Sequence, residues 1–305
     1  MISFVSLLHD PEAEVRAAAV AHLAPMIAWG GPKLFAAHLQ TLLPALADDV
    51  VMEVRSKCAK ALMDAAHGGS LSDALLLQSF GPLLEAFLQD EFQEVQLQVL
   101  TNLHKVSHLL PGLTGVVTSL LNMSKAGNWR VRQAVAQLVP HLAEARGMDF
   151  FQTVLLEPAW IPLLMDNVAS VRQTCVQGMP LLLSVAGPDW MMETLLPQHL
   201  QLYQSQSYLV RLTILQAHIA TALACSGKAQ CSVLQTRLVI LMVQALKDGV
   251  ANVRMVAARG LAAVLKEGLD DDALIASQIK PALEQEETDV DCRQMMDQAL
   301  ACLKN

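Results

Sequence analysis

The sequence predicts an all-α fold, a right-handed α–α superhelix (solenoid) of about eight stacked helix-pair repeats. Two regularities predict it: a short charged motif and a break containing glycine or proline each recur about every 40 residues. The composition agrees, because hydrophobic residues make up 53% of the chain and aromatic residues only 4%. A core built from Leu, Ala and Val suits closely packed helices better than sheets.

The charged motif is predicted to form the turn inside each repeat. It begins in most copies at an acidic residue, crosses several variable positions and usually ends at Val-Arg. Apolar residues at helical spacing follow it, so the second helix of each repeat starts here. Successive copies end 39, 41, 36, 40, 39, 43 and 39 residues apart. The final residues are Arg16, Arg55, Gln96, Arg132, Arg172, Arg211, Arg254 and Arg293.

The breaks are predicted to join one repeat to the next, because Gly and Pro end helices. They lie between the motifs, at Gly31-Pro32, Gly68-Gly69, Pro111-Gly112, Gly147, Gly187-Pro188, Gly227 and Gly268. A two-helix unit of this length is typical of HEAT and armadillo repeats. We therefore expect a single HEAT-repeat array over 1–305. Its repeats span approximately 1–31, 32–69, 70–112, 113–147, 148–187, 188–227, 228–268 and 269–305.

The recurring Asp and Arg residues are predicted to form a structural ladder between repeats. A planar guanidinium suits bidentate contact with an acidic residue or a helix-end carbonyl of the neighbouring repeat. A row of anion-binding arginines is less favoured, because the nearby aspartates would neutralise it. Gln96, and Ser205 in place of an Asp, predict weak rungs. The ladder residues are Asp10, Arg16, Asp49, Arg55, Arg132, Asp166, Arg172, Arg211, Asp248, Arg254 and Arg293. The aspartates that begin the motifs are also predicted to be helix N-caps, at Asp10, Asp49, Asp90, Asp166 and Asp248.

The other positions of the within-repeat turns vary from copy to copy, as expected of a binding edge on a rigid repeat frame. Trp129 and Tyr208 each lie in such a turn, so we expect them to contact a partner protein. The alternative is that each ring folds over its own repeat. The remaining tryptophans, Trp29, Trp160 and Trp190, are predicted to be packing residues.

Charge and motifs exclude several classes of function. The net charge of −8 argues against nucleic-acid binding, and the sequence has no polybasic patch. Apolar stretches such as 180–187 are too short to cross a membrane. Phosphate-binding, hydrolase and metalloprotease motifs are absent, so we expect no enzyme, no cofactor and no metal. His104 and His108 lie four residues apart on a predicted helix and could face one metal ion, but no third ligand is evident. The six cysteines form no CxxC pair, and a disulfide between Cys225 and Cys231 is a less favoured alternative to free thiols.

Several segments carry a more specific resemblance. They are DPEAEVRAAA (10–19), NWRVR (128–132) followed by DFF (149–151), SYLVR (207–211), GVANVR (249–254) and IKPALEQ with DVD (279–291). In order and spacing these segments resemble the scaffolding (A, regulatory) subunits of protein phosphatase 2A. The likeness covers nearly the whole chain and corresponds to the last eight of that family's fifteen HEAT repeats.

The resemblance implies a function and its residues. It implies a non-catalytic, monomeric scaffold within a hetero-oligomer, which binds a serine/threonine phosphatase catalytic subunit through the turns of residues 113–305. The implied contact residues are Asn128, Trp129, Arg130, Tyr208, Val250, Ala251, Asn252 and Asp289. Binding of a B-type regulatory subunit is expected to be weaker, since the repeats that carry it have no counterpart here. Ala169 stands where the family has Tyr.

Two alternatives and two further expectations complete the analysis. A HEAT-repeat adaptor for nuclear transport or another assembly is the main alternative; a tubulin-binding array is disfavoured by the acidic charge. The apolar start, Met1 to Leu8, suggests a fragment of a longer array, since repeat arrays usually end in polar caps. We expect the protein in the cytoplasm, with the nucleus as an additional location.

Overall fold

A computed structural model describes residues 2–303, and it confirms the predicted all-α helical-repeat class. Of the chain, 81% is helical, and none of the described residues lies in a strand. The chain divides into two compact units, residues 1–159 (unit 1) and 160–305 (unit 2). Each unit is a series of helix pairs.

Unit 1 begins with a short helix and then alternates long helices with tight turns. A 3₁₀ segment, Leu103–Gly112, and a π-helical segment, Phe35–Leu39, continue two of its helices. Its α-helices are Ile2–Leu7, Ala13–Ala21, Leu23–Leu34, Leu43–Ala47, Met52–His67, Asp73–Leu88, Gln93–Asn102, Thr114–Met123, Trp129–Arg146 and Met148–Phe150. A second π-helical segment, Phe151–Trp160, follows the last of these.

Unit 2 has the same alternation. Its α-helices are Ile161–Leu164, Ala169–Trp190, Leu196–Tyr203, Tyr208–Cys225, Ser232–Ala245, Ala251–Lys266, Asp272–Leu274, Lys280–Glu284 and Val290–Cys302. Met191–Leu195 and Ile275–Ile279 are π-helical, and Ala229–Cys231 is a 3₁₀ turn. Helix Tyr208–Cys225 is long and apolar enough to cross a membrane by length and composition. It packs against Ala169–Trp190, Ser232–Ala245 and Ala251–Lys266, as a core helix does.

The breaks between helix pairs use glycine for its backbone freedom. Gly187, with φ 77°, bends the chain inside the segment Ala169–Trp190, a conformation that an L side chain rarely adopts. The same left-handed φ recurs at five further glycines of the described chain, namely Gly31, Gly69, Gly147, Gly227 and Gly268. Gly112 is not among them, because the 3₁₀ segment Leu103–Gly112 leads into that break instead.

Proline accounts for the π-helical segments in unit 2. Pro197 and Pro281 each follow such a segment by two residues. A proline has no N–H to donate, and its ring crowds the carbonyl four residues earlier. The wider i→i+5 spacing of a π turn moves that carbonyl away, so the helix continues instead of breaking.

Small side chains allow neighbouring helices to approach closely. In unit 2, a Cβ on Gly260 would lie 2.5 Å from Cδ1 of Ile219, so the Ile219 side chain would have to shift to admit a larger residue. In unit 1, Phe35 and Phe80 meet edge to face, with ring centroids 6.0 Å apart. Trp160 is fully buried, but Trp29 is 71% exposed, so the packing role predicted for Trp29 was wrong. Trp29 lies two residues before the kink at Gly31 and outside the core.

Candidate protein-binding turns

Six of the eight within-repeat turns in residues 2–303 are closed by two side chains that lie six residues apart. At Asp49, the carboxylate accepts a hydrogen bond from the backbone N–H of Val51 (2.9 Å). Nη1 of Arg55 donates to the backbone carbonyl of Asp49 (2.7 Å). The acidic residue therefore shapes the turn, and the Arg ties it to the second helix. The same pair of bonds forms at Asp10 and Arg16, Asp90 and Gln96, Asp166 and Arg172, Ser205 and Arg211, and Asp248 and Arg254.

This geometry corrects the predicted N-caps. The residue at the N-cap position lies two residues after each aspartate: Glu12, Val51, Phe92, Val168 and Val250. The aspartates bond to the N–H of the N-cap residue itself, as in an Asx turn, and not to the next N–H groups of the helix. Their remaining carboxylate capacity is then available to a neighbouring repeat.

Two ion pairs connect successive turns of unit 1. Nε and Nη2 of Arg16 donate to the two carboxylate oxygens of Asp49, at 2.7 and 2.9 Å. Arg55 makes the same bidentate contact with Asp90, at 2.7 and 3.0 Å. The hydrogen bond from Arg16 holds the pKa of the Asp49 carboxyl below its usual value. These rungs hold the first three turns of unit 1 side by side.

The third junction of unit 1 lies between its third and fourth turns. No ion pair from Gln96 forms there, because glutamine carries no charge. Gln96 stands at the Arg position, and Ala126 stands six residues before Arg132, at the acid position. Asn128 closes this fourth turn instead, because its side chain accepts from the N–H of Arg130 at 2.8 Å. Its amide nitrogen also bonds to the side-chain oxygen of Gln93. A neutral contact therefore joins the third and fourth turns.

Two complete rungs also occur in unit 2. Arg211 pairs with both carboxylate oxygens of Asp248, at 2.8 and 3.0 Å. Arg254 pairs with Glu287, at 2.7 and 2.9 Å. The hydrogen bond from Arg254 lowers the pKa of Glu287. The sequence analysis missed Glu287, although it lies six residues before Arg293, the same spacing as in the other turns.

The first junction of unit 2 has an arginine with a neutral partner. Arg172 is only 9% exposed, and its Nε donates to the hydroxyl of Thr213 at 3.0 Å. The acid position of the next turn is occupied by Ser205, whose hydroxyl accepts from the N–H of Ser207 at 3.2 Å. This junction is one of the two where a weak rung was predicted.

Two further ladder arginines, Arg132 and Arg293, also bond to the backbone near their own turns. Nη1 of Arg132 donates to the carbonyls of Ala126 (2.7 Å) and Gly127 (3.1 Å). Arg293, in the last turn of unit 2, donates to the carbonyls of Leu283 and Gln285 and pairs with Asp297 on its own helix.

In unit 1, the predicted contact residues lie together at the fourth turn. Trp129 is the first residue of its helix and is half-buried, with the guanidinium of Arg130 4.7 Å from its ring centroid. Arg130 itself is exposed. The ring is therefore partly open to solvent and carries a cation over one face, an arrangement that suits stacking and hydrogen bonding with a partner.

In unit 2, Tyr208 and Asn252 are exposed and the other predicted residues are half-buried. Val250 and Asp289 are N-caps, and the side chain of Asp289 accepts from the N–H of Cys292 at 2.9 Å. The carbonyl of Ala251 accepts from the thiol of Cys292 at 3.0 Å. These last residues mainly position their turns, while Tyr208 and Asn252 present side chains to solvent.

The structure adds exposed apolar residues that the sequence analysis did not select. On unit 1 turns, Val50 is 89% exposed and Phe92 is 41% exposed; on unit 2, Val290 is 80% exposed. Val50 and Val290 each directly follow an acidic turn residue, and Phe92 lies two residues after one. Their place in the turns is the signal that could have identified them. Phe92 also lies against a rung, with the guanidinium of Arg55 5.4 Å from its ring centroid.

A buried pair of histidines is the chief polar feature inside unit 2. His199 and His218 are 1% and 3% exposed, with ring centroids 5.4 Å apart. Burial lowers the pKa of His199 to about 4; burial and the neighbouring His199 lower that of His218 as well. They line a cavity of about 10 Å³ whose other walls are Met, Leu and Thr side chains. Within residues 2–303, no cluster of three or more His, Cys, Asp or Glu side chains could hold a metal ion.

Known structures share this architecture. The chain aligns over 99% of its length with 33% of the Kap121p crystal structure, at a TM-score of 0.72 and 14% identity. A second match is the structure in which Kap95p binds RanGDP, described in terms of nuclear import complex assembly. There, 98% of this chain aligns with 40% of that one, at a TM-score of 0.55 and 14% identity.

The chain therefore spans well under half the length of either karyopherin. At this identity the likeness shows the fold alone, an all-α helical repeat of the HEAT/armadillo type. No protein-family model and no curated protein sequence matches the chain.

Proposed function

We propose that this chain is a non-catalytic scaffold that binds another protein along the within-repeat turns of its two units. The observation that carries the proposal is the set of bidentate rungs from Arg16, Arg55, Arg211 and Arg254. They fix consecutive turns next to one another, so that the side chains beyond the rungs form a preorganised surface. Preorganisation lowers the ordering cost of association.

The partner proposed here is a serine/threonine phosphatase catalytic subunit. Support comes from the segments that resemble the scaffolding subunits of protein phosphatase 2A, especially NWRVR (128–132) and GVANVR (249–254). The contact residues are Trp129 with Asn128 and Arg130 in unit 1, and Tyr208 with Asn252 in unit 2. Val250, Ala251 and Asp289 hold the backbone of their turns. Any metal chemistry belongs to the bound enzyme, and the scaffold positions that enzyme relative to a regulatory subunit.

A second candidate is an adaptor for nuclear transport. It is favoured by the fold similarity to Kap121p and Kap95p over nearly the whole chain. An adaptor of this kind would bind a small GTPase or cargo protein. Its partner would then differ, although its turns would have the same construction.

The test is a pull-down with the intact chain and two tryptophan variants. Trp129→Ala is expected to weaken binding of the purified phosphatase catalytic subunit by about tenfold or more, the usual effect of losing a tryptophan anchor. Trp29→Ala is the matched control, because Trp29 is open to solvent but lies outside the within-repeat turns, two residues before Gly31.

Three results would reject parts of the proposal. Equal loss by both variants would reject the turn of Trp129 as the contact. No capture of the phosphatase by the intact chain would reject that partner. Capture of a GTP-loaded small GTPase instead would favour the transport adaptor.

A further inference from the structure

The turn that begins at Ser205 in unit 2 has the same geometry as the turns that form complete rungs, but no carboxylate stands at its acid position. Ser205 lies six residues before Arg211, as Asp248 lies six before Arg254. The backbone carbonyl of Ser205 accepts from Nη1 of Arg211 at 2.9 Å, the same distance as in the Asp248 turn. Its hydroxyl accepts from the N–H two residues on, which is the bond that each turn aspartate makes. Ser205 therefore occupies the place of a ladder carboxylate.

The arginine that would face this carboxylate is already in place. Arg172 closes its own turn through Nη1, which donates to the carbonyl of Asp166 at 2.6 Å. Its Nε donates to Thr213, in the helix that follows Ser205. Within residues 2–303, Nη2 of Arg172 has no acceptor, whereas Nη2 of Arg211 donates to Asp248. A buried guanidinium with two neutral partners and one unused donor nitrogen is suited to an added anion.

We propose that Ser205 is a phosphorylation site, and that its phosphate completes the missing rung with Arg172. In the modification, the Ser205 hydroxyl oxygen attacks the γ-phosphorus of ATP in the active site of a protein kinase. The new Oγ–P bond forms as the bond to ADP breaks, and the hydroxyl proton passes to the kinase base. The product carries a charge of roughly −1.5 to −2 at neutral pH, with three acceptor oxygens.

The electrostatic setting of the ladder positions supports this assignment. Asp248 is held in its ionised form by Arg211 and also by the more distant charge of Arg254 in its own repeat. By the same repeat geometry, a phosphate on Ser205 lies between Arg172 and Arg211. Two guanidinium groups around one phosphate form a typical phosphoserine-binding arrangement.

The segment is also open to a kinase. Ser205 lies in the short connection between the helices Leu196–Tyr203 and Tyr208–Cys225 and is half-exposed. Its neighbours Gln204, Gln206 and Ser207 are exposed. Ser207 offers an internal control: it is the N-cap of the next helix, two residues beyond the ladder position.

The first experiment asks where the phosphate is attached. The full chain is incubated with ATP and a eukaryotic cell extract, and the phosphorylated peptides are mapped by mass spectrometry. Phosphate on Ser205 is the expected result. Phosphate on Ser207 or elsewhere with none on Ser205 would overturn the proposal, as would no phosphate at all.

The second experiment asks what the phosphate does. Full chains with phosphoserine incorporated at 205 or at 207 are compared by hydrogen exchange at neutral pH. Phosphoserine at 205 is expected to slow exchange in the helices that begin at Ala169 and Tyr208 by about tenfold, as one new charge-assisted contact would. Phosphoserine at 207 is expected to protect only the first turn of its own helix. Equal protection by both, or none at 205, would overturn the rung.

A third measurement does not depend on the stability of any variant. The second pKa of the phosphate, followed by ³¹P NMR, is expected to lie at least half a unit lower at 205 than at 207 in the folded chain. The difference is expected to vanish in urea and to become smaller in the Arg172→Met variant, which keeps only Arg211 near the phosphate. Identical titration at the two positions in the folded chain would contradict a phosphate–Arg172 contact.

Discussion

The two units build their turn edges in the same way but interrupt the rungs differently. Each has three internal junctions, two of which are complete Arg–carboxylate rungs. In unit 1 the third junction lacks both charged members, because Gln96 and Ala126 occupy their positions. In unit 2 only the carboxylate is replaced, so Arg172 keeps its charge and bonds to Thr213. Loss of both partners leaves a neutral contact, whereas loss of one leaves a charge to be satisfied.

The surfaces beyond the rungs differ as well. The first three turns of unit 1 expose acidic side chains: Glu12, Glu14, Asp48, Glu53, Glu91 and Glu94. The second turn of unit 2 exposes Gln206, Ser207 and Tyr208, without a charge. The same turn construction thus supports chemically different turns, because the rung residues occupy fixed positions and leave the other positions free to vary.

The largest expected effect comes from removing the arginine of a complete rung. Arg211→Met keeps the side-chain length but leaves the largely buried Asp248 carboxylate unpaired, so we expect a loss of about 2–3 kcal/mol of unfolding free energy. Arg172→Met leaves only the Thr213 hydroxyl, which still donates to the carbonyl of Leu209, and should cost about 1 kcal/mol. Urea unfolding of the full chain measures both. Equal losses would mean that the missing carboxylate is not what distinguishes the two junctions.

Acid should destabilise the two units over different pH ranges. His199 has a pKa of about 4 in the folded state and 6.5 when unfolded, and that of His218 is also lowered. A lowered pKa of a base means that the unfolded chain binds more protons below 6.5. The histidines therefore leave the unfolding free energy undiminished well above pH 6.5, and they lower it progressively as the pH falls toward 4. At pH 5.5 we expect His199 by itself to account for a loss of about 1 kcal/mol.

The carboxylates of unit 1 behave differently. The pKa of Asp49 is lowered from 3.8, so its contribution is complete above 3.8 and is lost only below that pH. Hydrogen exchange at pH 7 and 5.5, corrected for intrinsic rates, should show opening around 199 and 218 before any around Asp49. The His218→Gln variant should reduce the pH dependence. Simultaneous opening of both regions would contradict the difference.

The smallest effect is expected from building a rung where unit 1 has none. Gln96→Arg together with Ala126→Asp restores both ladder positions, and we expect a favourable coupling of about 0.5–1 kcal/mol between them. Neither single change should stabilise, because each introduces one charge without its partner. A double-mutant cycle by urea unfolding measures the coupling. A coupling of zero would show that the junction does not bring these two positions together.

The sequence by itself determined the local construction of this protein. The motif spacing and the glycine breaks predicted the helix pairs, and the recurring Asp and Arg predicted which side chains organise the turns. These features could be predicted because they depend on residues at most six positions apart, where backbone geometry leaves few solutions.

Only the tertiary structure decided how those local units meet. It made Glu287 the partner of Arg254 and gave Arg172 a neutral acceptor. It also left Trp29 exposed and buried His199 against His218. Each of these facts depends on residues brought together by helix packing, where the angle between helices and the sizes of neighbouring side chains decide which atoms touch.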